Sequence, residues 1–323
     1  MATAEQIKSL IRSHFGDEPE RFMTLALQVA AHEAQQGHRD LAHEIRLIVD
    51  KAKEMQSSVI QLKFPRELHG LVVVEAPQTP IAALVLPESL KKRINRVIHE
   101  FRQQQKLKEH GLSHRRKILL VGPPGTGKTM TARVLAHELR LRLCTIQVDK
   151  VVTKFMGETS AQLRQVFDLI QEEAGVYLFD EFDAIGGERS LENDVGEMRR
   201  VLNAFLQFIE QDTSDSLIVA ASNSPRLLDR ALYRRFDDVL YYEHPDSEDR
   251  SRLIKNVLGM FCDPRLGWKT LTTASQGLSH SEIDLACRDG IKEAILADRK
   301  MVNTSLLCSM LRERQDAHGK RGG

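Results

Sequence analysis

The stretch Gly122-Pro123-Pro124-Gly125-Thr126-Gly127-Lys128-Thr129 narrows what this chain can become more than any other. It fits G-x-x-x-x-G-K-[ST]. The residues before it, Lys117-Ile118-Leu119-Leu120-Val121, read as a buried strand, and Met130–Leu139 carry apolar residues at helical spacing. Strand, glycine loop and helix together are the setting a phosphate-binding loop requires. The glycines let successive N–H groups turn toward one anion, and the helix start adds partial positive charge. Lys128 is then expected to reach the β- and γ-phosphates of a nucleotide, and the Thr129 hydroxyl to ligate Mg²⁺. A plain glycine turn leaves Lys128-Thr129 unexplained.

A second piece of chemistry lies at Val176-Tyr177-Leu178-Phe179-Asp180-Glu181, an apolar strand ending in two carboxylates. Open α/β sheets bind ligands at such strand ends. Taken alone the acids would suit a solvated turn. Beside a phosphate loop, Asp180 is expected to hold the Mg²⁺ hydration shell and Glu181 to orient and deprotonate the attacking water.

The chain divides by pattern. Apolar stripes over residues 1–54 predict three short helices in a small bundle, a recognition or partner domain. His14, His32, His38 and His43 fall on its polar faces and read as solvated, not as metal ligands. Residues 55–80 form a connector with short strands at Val59–Leu62 and Leu71–Val74. Residues 81–245, with a helix from Glu88 to about Lys108, alternate helix and apolar strand. That is the pattern of an α/β domain whose parallel sheet is covered by helices on both faces. Residues 246–317 read as a small helical lid with helices at Ser247–Met260, Ser281–Ala297 and Thr304–Ala317, and 318–323 as a flexible tail.

The combined motifs are similar to those of ATPases of the AAA family. The similarity covers roughly residues 84–300 and rests on the glycine loop, Asp180-Glu181, Ser216–Asn223 and Leu228-Asp229-Arg230-Ala231-Leu232-Tyr233-Arg234-Arg235-Phe236-Asp237. The resemblance implies that Asn223 senses the γ-phosphate or the lytic water. It also implies that Arg234 and Arg235 are arginine fingers reaching the ATP of a neighbouring subunit in a ring, most often a hexamer. The adjacent arginines resemble the branch containing katanin and spastin, and leave open which of them touches phosphate. Lys154-Phe155-Met156-Gly157 resembles the substrate-gripping pore loop, although Phe155 could instead pack within its own subunit. Gly187–Ser190 is a weaker second pore loop. Gly277–Ile283 matches a lid motif that carries no second-sensor arginine, and no other residue supplies one by this reading.

The expected activity is ATP hydrolysis with Mg²⁺, driving a motor that remodels, unfolds or threads protein substrates. The alternative is a regulatory ATPase controlling a separate effector. Similar bacterial chains are sometimes encoded beside a subtilisin-like serine protease in anti-phage defence loci. This chain has neither a Ser-His-Asp nor an H-E-x-x-H pattern, so any proteolysis falls to a partner. A net charge of +1 argues against nucleic acid and membrane surfaces, and His114-Arg115-Arg116-Lys117 reads as a solvated loop or phosphate-side contact. The cysteines (Cys144, Cys262, Cys287, Cys308) are isolated, which indicates neither zinc nor disulfides. The opening residues lack a basic-then-apolar leader, and no apolar run approaches about 20 residues, so a cytoplasmic location is expected.

Overall fold

Ile118, Leu119, Leu120 and Val121 are all fully buried, as a strand covered on both faces demands. In the computed structural model they lie in β2 (Lys117–Val121), near the centre of a six-stranded sheet. The structure describes residues 26–27, 29–31, 33–34, 37–38, 42–47, 68, 70–151, 156–183, 195–224 and 230–319. The chain forms two compact units, Met1–Phe64 and Pro65–Gly323. In the first, the described residues of 26–34 and 42–47 are helical, with Ala26, Val29 and Ala30 buried and His38 Nδ1 2.7 Å from Glu33 Oε2. The strand expected at Val59–Leu62 lies outside the described residues.

The second unit carries the sheet, in the order β1-β3-β4-β5-β2-β6. The strands are β1 (Val72–Glu75), β2, β3 (Leu143–Ile146), β4 (Val176–Phe179), β5 (Leu217–Ser222) and β6 (Asp238–Tyr241). All neighbouring pairs are parallel except β1 with β3. The segment that reads as a connector therefore supplies part of the sheet: Val72 lies opposite Ile146 and Glu75 opposite Leu143. A four-residue edge strand leaves too little periodicity to show this role locally.

Register sets the position of the site. Val121 lies opposite Ser222 and Phe179 opposite Ala220, so β2, β5 and β4 end on one edge of the sheet. That edge receives Gly122, Asp180 and Asn223. Helix α1 (Glu88–Arg102) covers the sheet with Leu90, Ile94, Val97 and Ile98, and α2 (Lys128–Leu139) with Ala132, Val134, Leu135 and Ala136. The apolar spacing predicts that α1 runs on to about Lys108. It breaks instead at Gln103, whose ψ of 17° is not helical, and a separate six-residue helix runs Gln104–Glu109.

Helices α3 (Met156–Glu172) and α4 (Val195–Gln211) pack together and against β4. Phe167, Phe179, Phe182 and Phe205 meet there; Phe179 and Phe205 are 5.1 Å apart edge-to-face, and Phe182 and Phe205 4.6 Å. Phe179 and Phe182 are fully buried on either side of Asp180-Glu181, so the acids sit on an anchored strand end.

Beyond the sheet come α5 (Ser247–Leu258), α6 (Trp268–Ala274), α7 (His280–Leu296) and α8 (Thr304–Gly319), around a second core that includes Leu253, Ile254, Leu271, Ile283, Val302 and Leu311. The sequence pattern does not reveal α6, which spans only seven residues. Val85, just ahead of α1, is buried in this second core.

Candidate nucleotide site

The loop after β2 curls as its glycines allow, and Gly127, at φ +101°, caps α2. Gly122 is required for another reason: a Cβ there would stand 2.2 Å from the backbone oxygen of Tyr242. Lys128 is buried, and its Nζ donates to the carbonyls of Gly122 and Pro123 at 2.7 Å each. Burial lowers its pKa, with Asp180 and Asp183 pulling the other way. The ammonium is thus shielded from water and bonded to neutral carbonyls, a setting that favours exchange for a phosphate oxygen.

Thr129 Oγ1 donates to Asp180 Oδ2 at 2.8 Å. A hydroxyl and a carboxylate side by side, with an anion loop adjoining, are the hard oxygen donors that suit Mg²⁺ held between protein and phosphates. The residues present therefore fit the ion. Among the described residues no cluster of three or more His, Cys, Asp or Glu side chains forms a separate metal site.

A cavity of about 760 Å³ opens over the loop, within the range of small-molecule sites. Pro124–Thr129, Asp180, Glu181 and Asn223 all line it. Asp183 accepts from the backbone N–H of Asn223 at 3.1 Å, tying the end of β5 to the segment after β4. The opposite wall comes from residues 83–86, α5 and α7. Ser279 caps α7 in a reciprocal arrangement with Glu282, and the backbone N–H of Ser281 donates to Gly125 O at 3.0 Å. A Cβ on Gly125 would stand 2.3 Å from Ser281 Oγ. The start of α7 and the glycine loop are thus in direct contact.

Arg234 and Arg235 do not line this cavity. Both are exposed, and Arg235 Nη1 pairs with Glu210 Oε1 at 2.8 Å. Lys154, Phe155 and Gly187–Ser190 lie outside the described residues; Met156 and Gly157 open α3. The lid motif predicts no cation from this side. Arg288 nevertheless lines the cavity, held by Asp284 at 2.6 Å. The i, i+4 spacing of Asp284 and Arg288 is readable as a helical ion pair, but not the cavity it faces. Asn256 lines the same wall and falls in no motif, while His280 lies inside the Gly277–Ile283 motif without a role assigned by it.

Residues 118–244 match the family model described as "ATPase family associated with various cellular activities (AAA)". A relative from Sinorhizobium fredii, described as an AAA family ATPase, is 32% identical over 311 residues, which is 94% of this chain and 92% of the relative. This chain belongs to the AAA family of ATPases. It is also similar to a proteasome-activating nucleotidase of Methanosphaerula palustris, 28% identical over 76% of this chain. The ATP-dependent zinc metalloprotease FtsH 1 of Methylacidiphilum infernorum is 30% identical over 66%. The chain spans 61% of the nucleotidase and 35% of the metalloprotease. As in other ATPases of this family, the reaction is ATP hydrolysis. Among the described residues no helix is long and apolar enough to cross a membrane.

Proposed function

We propose that this ATPase is a ring-forming motor that acts on protein substrates. The observation that carries the reading is the convergence of Lys128, Thr129, Asp180, Glu181 and Asn223 on one cavity, with Arg234 and Arg235 outside it. Lys128 takes the charge of the β- and γ-phosphates. Thr129 and Asp180 hold Mg²⁺, which draws electron density from the phosphate oxygens when bound. Glu181 accepts a proton from the water that attacks the γ-phosphorus; the bond to the β-phosphate oxygen breaks, and ADP leaves. Asn223 orients that water. Arg234 and Arg235 of one subunit complete the site of the next, which makes assembly, most simply a hexamer, a condition of turnover.

Protein substrates are favoured because the relatives include a proteasome-activating nucleotidase and an ATP-dependent protease. By this reading residues 1–54 recognise a substrate or partner, residues 246–317 move as the lid, and Lys154-Phe155-Met156-Gly157 grip the polypeptide. The deciding experiment is Phe155→Ala. A gripping residue leaves ATP hydrolysis and ring formation intact while ATP-dependent unfolding of a protein substrate falls sharply. Full biological output from a folded, active Phe155→Ala protein would remove threading and leave a switch acting on a partner effector. A core role would instead lower the melting temperature, since truncating a buried Phe costs about 3–5 kcal/mol.

A further inference from the structure

The cavity that holds Lys128 is also lined by residues 83–86, α5 and α7, the surface open to the nucleoside of a nucleotide whose phosphates lie on Lys128. That wall is largely apolar, with Leu84, Val85, Leu253, Val257 and Ile291. Its polar side chains are Asn256, His280, Ser281, Asp284 and Arg288. Most of these are already engaged. Asp284 and Arg288 pair with each other. Ser281 Oγ lies 3.2 Å from Ser279 Oγ. Both ring nitrogens of His280 are closed off from water, which leaves them out of reach of a ligand in the cavity.

Asn256 differs from all of them. It is exposed on α5, flanked in sequence by Leu253 and Val257 on the same wall, and its amide makes no hydrogen bond among the described residues. An amide presents a donor and an acceptor side by side. Adenine offers the complement, a 6-amino donor beside a ring-nitrogen acceptor, and Asn is among the side chains that pair with adenine in this bidentate way. On the N7 edge a 6-oxo purine presents two acceptors and satisfies only half of the amide.

We propose that Asn256 reads the nucleobase, pairing with the 6-amino edge of adenine and so setting the preference of this site for ATP. The proposal rests on the ATP-site reading above. The test is calorimetric binding, with Mg²⁺, of ADP and of purine riboside diphosphate, which lacks the 6-amino group, to the native chain and to Asn256→Leu. The native chain should prefer ADP by about tenfold, the scale of one good bidentate base contact. Asn256→Leu should bind both ligands equally, and no more tightly than the native chain binds the purine analogue. Asn256→Ala repeats the measurement, and both variants should melt with the native chain because position 256 is exposed. Retention of the native preference by either folded variant overturns the proposal, as does a native chain that binds both ligands equally well. A native chain that binds neither overturns the ATP-site reading itself, and this proposal with it.

Discussion

Glu181 donates its backbone N–H to the Oδ1 of Asp180 at 2.9 Å while holding a φ of +51°. The left-handed region is costly for a residue with a Cβ, by about 1–2 kcal/mol. The turn aims both side chains at the cavity: Asp180 reaches Thr129 with one oxygen and holds the turn with the other. Glu181→Gly should therefore melt no lower than Glu181→Ala, despite glycine's entropy cost, because it releases that strain. A clearly lower melting temperature for Glu181→Gly would show that the turn stores no strain.

Lys128→Ala is expected to abolish nucleotide binding, whereas Glu181→Gln should bind ATP and fail to turn it over. The lysine acts on phosphate charge in the ground state; the glutamate acts on the water in the chemical step. Binding by a fluorescent ATP analogue and phosphate release, measured side by side, separate the two. Near-normal phosphate release by Glu181→Gln would remove it as the base.

Under the proposed function, Arg234 and Arg235 act on the nucleotide of a neighbouring subunit. An arginine finger contributes about 10³–10⁵ in rate, so specific activity should rise with protein concentration as rings form. The Arg235–Glu210 pair is exposed, with 40% and 55% of the two side chains accessible, so it adds at most about 1 kcal/mol to stability. Arg234→Ala and Arg235→Ala should accordingly melt within a few degrees of the native chain while losing most hydrolysis. A rate independent of concentration, from a particle of monomer mass by light scattering, would reject the shared site.

The loop, the strand-end acids and the parallel sheet are legible in the sequence because each couples a periodic apolar run to residues with a narrow chemical use. Gly122–Thr129 and Asp180-Glu181 can be read locally. The cavity's other wall cannot. Asn256, His280 and Arg288 reach it because Ser281 docks on Gly125 and Val85 enters the core of the C-terminal helices, and no local pattern encodes that packing. Likewise Val72–Glu75 becomes a sheet strand through pairing with Leu143–Ile146, a partner distant in sequence.

Glycine substitutions in the loop should differ in cost for a reason visible in the packing. Gly122, at φ +154°, has the Tyr242 backbone oxygen 2.2 Å from where a Cβ would stand, and backbone does not yield easily. Gly127 has a φ of +101° but nothing within 4 Å of that position. Gly127→Ala should cost about 1–3 kcal/mol from backbone strain alone. Gly122→Ala should cost more, with a correspondingly larger fall in melting temperature. Equal losses would mean that the β2–β6 edge gives way to accommodate the methyl group.

Stability should fall on mild acidification, and His280 should account for part of the fall. Burial holds its pKa below the ordinary value of 6.5; Asp249 and the Val85 backbone oppose that, and His244 adds to it. The folded chain keeps the ring neutral, while the unfolded chain takes up a proton near pH 6.5. The contribution is therefore fully present above that pH, declines below it, and levels off once the folded ring is protonated too. His114, stacked edge-on to Phe101 with ring centroids 5.3 Å apart, is also lowered by burial and acts in the same direction. Between pH 7.5 and 5.5 the native chain should lose melting temperature. His280→Phe, which removes the titration and both buried ring nitrogens, should lose less over that range and start no lower at pH 7.5. Combining it with His114→Phe should flatten the profile further. An unchanged slope in both variants would put the acid sensitivity elsewhere in the molecule.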